Sequence, residues 1–140
     1  MGLERFIEAQ RHSYQEALYE VKQGKKESHW MWYVFPQIQG LGFSPTAEFY
    51  AIKDLNEAEE YLNHPKLSVR MFEICEALLQ LPNISAEEIF GFPDCLKLKS
   101  SMTLFYCVNA DSIFRQVLEK FYDGELDEKT LEIIGKNSLK

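Results

Sequence analysis

The chain is poor in the residues that build disulfide frameworks, metal sites and membrane spans. Its three cysteines, Cys75, Cys95 and Cys107, are odd in number, widely spaced and without a CxxC pair. That usage excludes a disulfide framework and fits reduced thiols in the cytoplasm, the expected location. The three histidines, His12, His29 and His64, have no HxxxH spacing, so no metal site is expected. The longest apolar run is the six residues from Trp30 to Phe35, against the ~20 that span a bilayer, so no membrane association is expected. Met1-Gly2-Leu3-Glu4-Arg5-Phe6 reads as the start of an amphipathic helix and not as a charged-then-apolar leader. Phe6 also stands where a myristoylation motif wants Ser or Thr. Positive charge is short too: 15 Lys and Arg face 22 Asp and Glu, a net charge of −7. General nucleic-acid binding, which comes from cations neutralising phosphates, is therefore not expected. A Walker motif is missing, and the lone Gly40-Leu41-Gly42 lacks the rest of a dinucleotide fingerprint. The residues assign no cofactor.

What is abundant is apolar surface, 46% of residues with 14% aromatic, which excludes a disordered chain. One domain over residues 1–140 is expected, since a chain of this size buries about two-thirds of its unfolded surface. The stretch Ser28-His29-Trp30-Met31-Trp32-Tyr33-Val34-Phe35-Pro36-Gln37 holds both tryptophans and reads as a buried hub. Around it the periodicity is helical. Leu3, Phe6, Ile7, Gln10, Tyr14, Ala17, Leu18 and Val21 recur at steps of three and four, a helix over 3–23 stopped by Gly24. Ser28 is a candidate N-cap for a short helix to Val34, ended by Phe35 before Pro36. The same six apolar residues fit a buried strand, but no partner strand is evident. Ser44-Pro45 opens a helix to about Ile52, and Asp54 caps another to Leu62. Pro65 starts a helix whose apolar face, Leu67, Met71, Ile74, Leu78 and Leu81, suits the centre of a core. Ser85, Asp94, Asp111 and Asp127 cap further helices, although Thr103 to Val108 has strand-like propensity. The pattern predicts an all-α, compact multihelical single domain of about seven to eight helices.

The residues also carry a family pattern. Arg5-Phe6, Ala9-Gln10, His29-Trp30-Met31-Trp32, Phe35-Pro36-Gln37, Gly40-Leu41-Gly42 and Ser44 occur in order. Tyr50-Ala51-Ile52, His64-Pro65, Arg70, Ile89-Phe90-Gly91, Asp94, Lys97 and Ser100-Ser101-Met102-Thr103-Leu104-Phe105 follow. Together they resemble the family catalogued as domain of unknown function 1810, over about residues 3–134. The resemblance implies a compact, mainly helical fold and brings no reaction with it. Phe43 stands where the family often has a basic residue, and Ser68 where glycine is usual. Bacterial members sometimes carry the label calpastatin. That label does not transfer, because calpastatin's inhibitory segments are disordered and this composition forms a core.

Candidate chemistry centres on the 40–45 loop. Gly40 and Gly42 allow a sharp turn, and a helix starting at Ser44 presents free N–H groups to an anion. Arg5, Lys26, Arg70 or Lys97 would approach from elsewhere. His29 lies at the polar entrance of the aromatic block, where a histidine can act as a base or a stacking ring. Trp30, Trp32 and Tyr50 could stack on a nucleobase, though aromatic blocks also simply fill cores. Asp94, Lys97 and Ser101 share a helix face, as in Ser–Lys nucleophilic sites, but capping, ion pairing and close packing explain each residue as well. Two readings follow. In the first, a helical pocket protein binds, or binds and acts on, a small anionic or nucleotide-like ligand, with His29, Gln37, Ser44, Tyr50, Arg70 and Lys97 converging beside Trp30, Gly40 and Gly42. In the second, a non-catalytic module seats a protein partner in an aromatic groove.

Overall fold

Helices form where apolar spacing and capping residues agree, and they fail where a stronger acceptor intervenes. The computed structural model describes residues 2–138, so Met1 of the N-terminal stretch lies outside it. Among the described residues there are nine helices and no strand, one or two helices more than expected. They are α1 (Glu4–Lys22), α2 (Met31–Val34), α3 (Pro45–Phe49), α4 (Leu55–Asn63), α5 (Pro65–Gln80), α6 (Ala86–Phe90), α7 (Asp94–Val108), α8 (Ile113–Tyr122) and α9 (Glu128–Ser138). None is long and apolar enough to cross a membrane.

On α1, Phe6, Gln10, Tyr14, Ala17, Leu18 and Val21 are buried, the stripe that the spacing predicts. Ser28 does not cap α2. Its hydroxyl donates to the Glu20 carboxylate on α1 at 2.5 Å, and the helix begins at Met31 with Trp30 flanking it. Glu20 also accepts from the amides of Glu27 and Ser28 at 2.8 and 2.9 Å and from Trp30 Nε1 at 2.8 Å. Bonds to an ionised acceptor are roughly twice as strong as neutral ones, so this connector folds back onto α1 and leaves α2 a single turn.

Ser44 caps α3 as expected, accepting from the Ala47 amide at 3.1 Å, but the helix stops before Ile52. Ile52 pairs with Ile38 in an isolated parallel bridge, its amide and carbonyl bonded to Gln37 and Gln39 at 2.8 Å each. Both isoleucines are buried, and extended backbone is what directs them inward. Asp94 does not cap α7, which starts after Pro93 with no side-chain cap, and Ser112 replaces Asp111 as the cap of α8. The last helix runs past the expected Ile134 to Ser138.

The core lies between α5 and α7. α5 packs on α1, α4 and α8, while α7 packs on α4, α6, α8 and α9. Every residue of α7 from Ser100 to Phe105 is buried, as expected of a helix enclosed on all sides. Phe6, Tyr61, Phe105, Phe114 and Phe72 form a chain of ring contacts 5.3–5.7 Å apart through this core.

Candidate functional site

Because α2 is one turn long, its side chains divide sharply between core and surface. Trp30 and Phe35 are wholly buried, with edge contacts to Phe90 at 6.3 and 6.0 Å. Trp32 is only half-buried and forms one wall of a hollow of about 210 Å³. Leu41, Pro93 and Leu96 complete the apolar wall, beside Gly42. Gln37, Lys97, Ser100, Asp127 and Lys129 supply the polar groups. The hollow thus sits where α2, the following loop and the starts of α7 and α9 meet.

Its electrostatics are uneven. Lys97 Nζ lies 3.8 Å from the centroid of the Trp32 ring and 3.1 Å from Asp94 Oδ1. Lys26 Nζ lies 3.0 Å from Asp94 Oδ2, with its side chain only 10% exposed. Burial pushes the Asp94 carboxyl up, but the two lysines outweigh it and hold the group below the usual carboxylate range. One carboxylate therefore serves two cations. Asp127 is occupied in capping α9, accepting from the Thr130 amide and hydroxyl at 3.0 and 2.6 Å. Ser100 Oγ donates to the Leu96 carbonyl at 3.1 Å. Neither the Gln37 carboxamide nor the Lys129 ammonium is hydrogen-bonded among the described residues.

Beside the hollow, Gln37, Gly40, Gly42, Ala47 and Tyr50 line a cleft with only about 10 Å³ of free space, at most one water's worth. The 40–45 loop is packed, and its two glycines serve different needs. Gly40 takes φ 108°, whereas a Cβ on Gly42 would lie 2.9 Å from Ala47 Cβ. Pro45 has no N–H, and the Ala47 and Glu48 amides are taken by Ser44. The start of α3 is therefore no open anion cradle.

The expected convergence is only partial. Gln37 and Lys97 line the hollow, and Tyr50 lines the closed cleft next to it. His29 is exposed, its carbonyl accepting from the Tyr33 hydroxyl at 3.3 Å. Ser44 is an exposed cap. Arg70 is on α5, donating to Gln10 at 3.4 Å and lying 5.7 Å from the Tyr14 ring. Trp30 is sealed in the core. Ser44, Arg70 and Trp30 are held by nearer partners, and the His29 ring is exposed outside the hollow. Ser101 Oγ is buried with no hydrogen-bond partner, so Lys97 and Ser101 form no nucleophile–base pair. Lys129, Pro93 and Leu96 were not signalled by the sequence, and Asp127 only as a cap, since all four come from helix starts remote in the chain from Trp32.

A larger hollow of about 590 Å³ lies between Gln39, the Lys53–Asn56 segment and α9. It has no aromatic lining, and its Asp54 carboxylate is taken by the Glu57 amide at 2.9 Å.

Fold and hollow together define a small all-helical protein with an amphipathic recess at its helix ends. The chain belongs to the family described as Protein of unknown function (DUF1810), whose model matches residues 1–134. It is similar to the conserved hypothetical protein Rv1873 from Mycobacterium tuberculosis, whose crystal structure superposes with a TM-score of 0.92 at 45% identity. That match covers 95% of this chain and 96% of the other. No curated protein matches the chain.

Proposed function

We propose that the protein binds a small anion in the hollow beside Trp32 and Lys97. The observation that carries this reading is the sharing of Asp94 by Lys26 and Lys97. A cation held away from water without full compensation costs several kcal/mol, and an entering anion relieves that cost. An ammonium has three donors, and Asp94 and the Trp32 face leave one for a ligand, with Gln37 and Lys129 beside it. About 210 Å³ falls below the ~300 Å³ of pockets for drug-sized ligands. A nucleotide would thus enter with its phosphate or its base alone. Binding is favoured over catalysis because Asp94 is ion-paired and Asp127 is a cap, which leaves no carboxylate free as a base.

Thermal unfolding in sodium phosphate against sodium chloride at matched ionic strength tests the reading. At 100 times its dissociation constant a ligand stabilises by about 2.7 kcal/mol. That gain is expected in the natural protein and not in Lys97→Met. A natural protein indifferent to phosphate and to simple carboxylates would refute it.

A second reading has its own support. Leu96 is 48% exposed at the hollow, and Phe43 and Phe92, adjoining Gly42 and Pro93, are 78% and 71% exposed. Such side chains suit an interaction module that seats an apolar segment of a protein partner. Under it, Lys97→Met would leave the anion response as it was, while Phe43→Ser with Phe92→Ser would weaken partner binding.

A further inference from the structure

We infer that the anion is a flat aromatic acid whose carboxylate is attached directly to its ring, an extension that rests on the anion reading above. The position of the charge against the ring sets this geometry. Lys97 Nζ is 3.8 Å from the Trp32 centroid, so an acceptor meeting that ammonium, ~2.9 Å further on, sits in the recess beside the indole. The atoms bonded to the acceptor then enter a hollow whose apolar lining is Trp32, Leu41, Pro93 and Leu96. A carboxylate at the end of a long chain would carry its body past that wall into solvent.

The wall itself is built from rings and branched carbons: the Trp32 indole, the Pro93 pyrrolidine, Leu41 and Leu96. Gly42 lies beside this wall without a side chain, and a Cβ there would be 3.9 Å from Trp32 Cζ3 and Cη2. Aromatic bodies meet an indole well in offset or edge-to-face contact. The polar side fits one carboxylate. Lys26, Lys97 and Lys129 face Asp94 and Asp127, one positive charge in excess, and the unpaired Gln37 amide can donate to the second carboxylate oxygen. A trianionic or longer polyphosphate head would meet the Asp127 carboxylate.

Benzoate, acetate, cyclohexanecarboxylate and inorganic phosphate separate the parts of the inference. Affinities come from calorimetry, and contact from tryptophan fluorescence. Benzoate is expected to bind at least about tenfold more tightly than acetate, given ~0.8 kcal/mol per buried carbon and ~1.4 kcal/mol per factor of ten. It is also expected to bind more tightly than cyclohexanecarboxylate. Its binding should change the emission of the natural protein but not of Trp32→Phe, in which only the buried Trp30 reports. Lys97→Met should lose benzoate and acetate alike, and Leu96→Glu, a substitution at the exposed rim, should weaken benzoate. Equal binding of all four probes, dependent on Lys97, overturns the aromatic class and leaves the anion site standing. No binding by any probe overturns both.

Discussion

Glu20 shows how a single side chain decides the shape of this molecule. Four donors from the 27–30 connector converge on its carboxylate, three of them at 2.8–2.9 Å and the Ser28 hydroxyl at 2.5 Å. Burial alone would raise its affinity for a proton. The four hydrogen bonds reverse that and bring the carboxyl down to about 2, against an ordinary 4.5. Since the folded state binds this proton less tightly than the unfolded state, its contribution is complete above the ordinary value. It is lost as pH falls from about 4.5 towards about 2. Glu20→Gln keeps the shape and removes the charge. It is expected to cost about 1–3 kcal/mol in urea unfolding at neutral pH, with the difference from the natural protein shrinking as the solution is acidified. A gap that stayed constant down to strong acid would show that the carboxylate charge is not what holds the connector. Gly42 is a second decisive residue. With Ala47 Cβ only 2.9 Å from where its own Cβ would sit, Gly42→Ala is expected to cost about 1–3 kcal/mol by overpacking, read by the same unfolding measurement.

Elements are joined by groups whose removal leaves others stranded. Arg5 on α1 donates to the carbonyls of Phe49 and Ala51 at 2.8 and 2.6 Å and pairs with Glu57 on α4 at 3.1 Å, both side chains nearly buried. It therefore clamps the end of α3 and the start of α4 onto α1. Arg5→Met should cost about 3–5 kcal/mol, because it strands a buried carboxylate, whereas Arg5→Met with Glu57→Met should be milder than the single change. Calorimetric or urea unfolding of the two variants checks this, and a double variant worse than the single one would contradict it. The N-terminus of α5 depends on a less usual cap, His64 Nδ1 accepting from the Lys66 and Leu67 amides at 3.1 and 3.4 Å. His64→Ala should cost about 1 kcal/mol, and His64→Asn should restore most of it.

The elements also show why sequence reading stops where it does. Period and local capping were enough for α1, α4, α5 and α6, where the signal and its partner lie within a few residues. Thr103 to Val108, strand-like by propensity, is helical because α7 is enclosed by four helices, and tertiary burial outweighs propensities worth tenths of a kcal/mol. The start of α2, the missing cap of α7 and the bridge at Ile52 each turn on a partner distant in the chain. The site suffered most from this. Gln37 and Lys97 were visible as candidates, but Lys129 and Asp127 reach the hollow only because α9 packs against α7. Arg70 and His29 were plausible by residue type alone, but Arg70 is held at Gln10 and Tyr14 and His29 is exposed outside the hollow.

At the scale of the whole molecule, the hollow is a small positive region in a chain of net charge −7. Two fields act on an approaching anion and respond differently to salt. The long-range field of the acidic surface repels it and is screened within about 10 Å at 0.1 M salt. The attraction of Lys97, whose side chain is 22% exposed beside Asp94, acts at contact through partly desolvated groups and is screened much less. Raising ionic strength from about 0.01 M to about 0.15 M should therefore leave benzoate affinity unchanged or improve it. A site made only of the exposed Lys129 would behave in the opposite way, weakening as salt rises, because both its attraction and its surroundings lie in water. Calorimetric titration at the two ionic strengths distinguishes the cases. If affinity fell about tenfold with salt, Lys97 and the Trp32 wall would not be the groups in contact, and the anion would be held at the rim by Lys129.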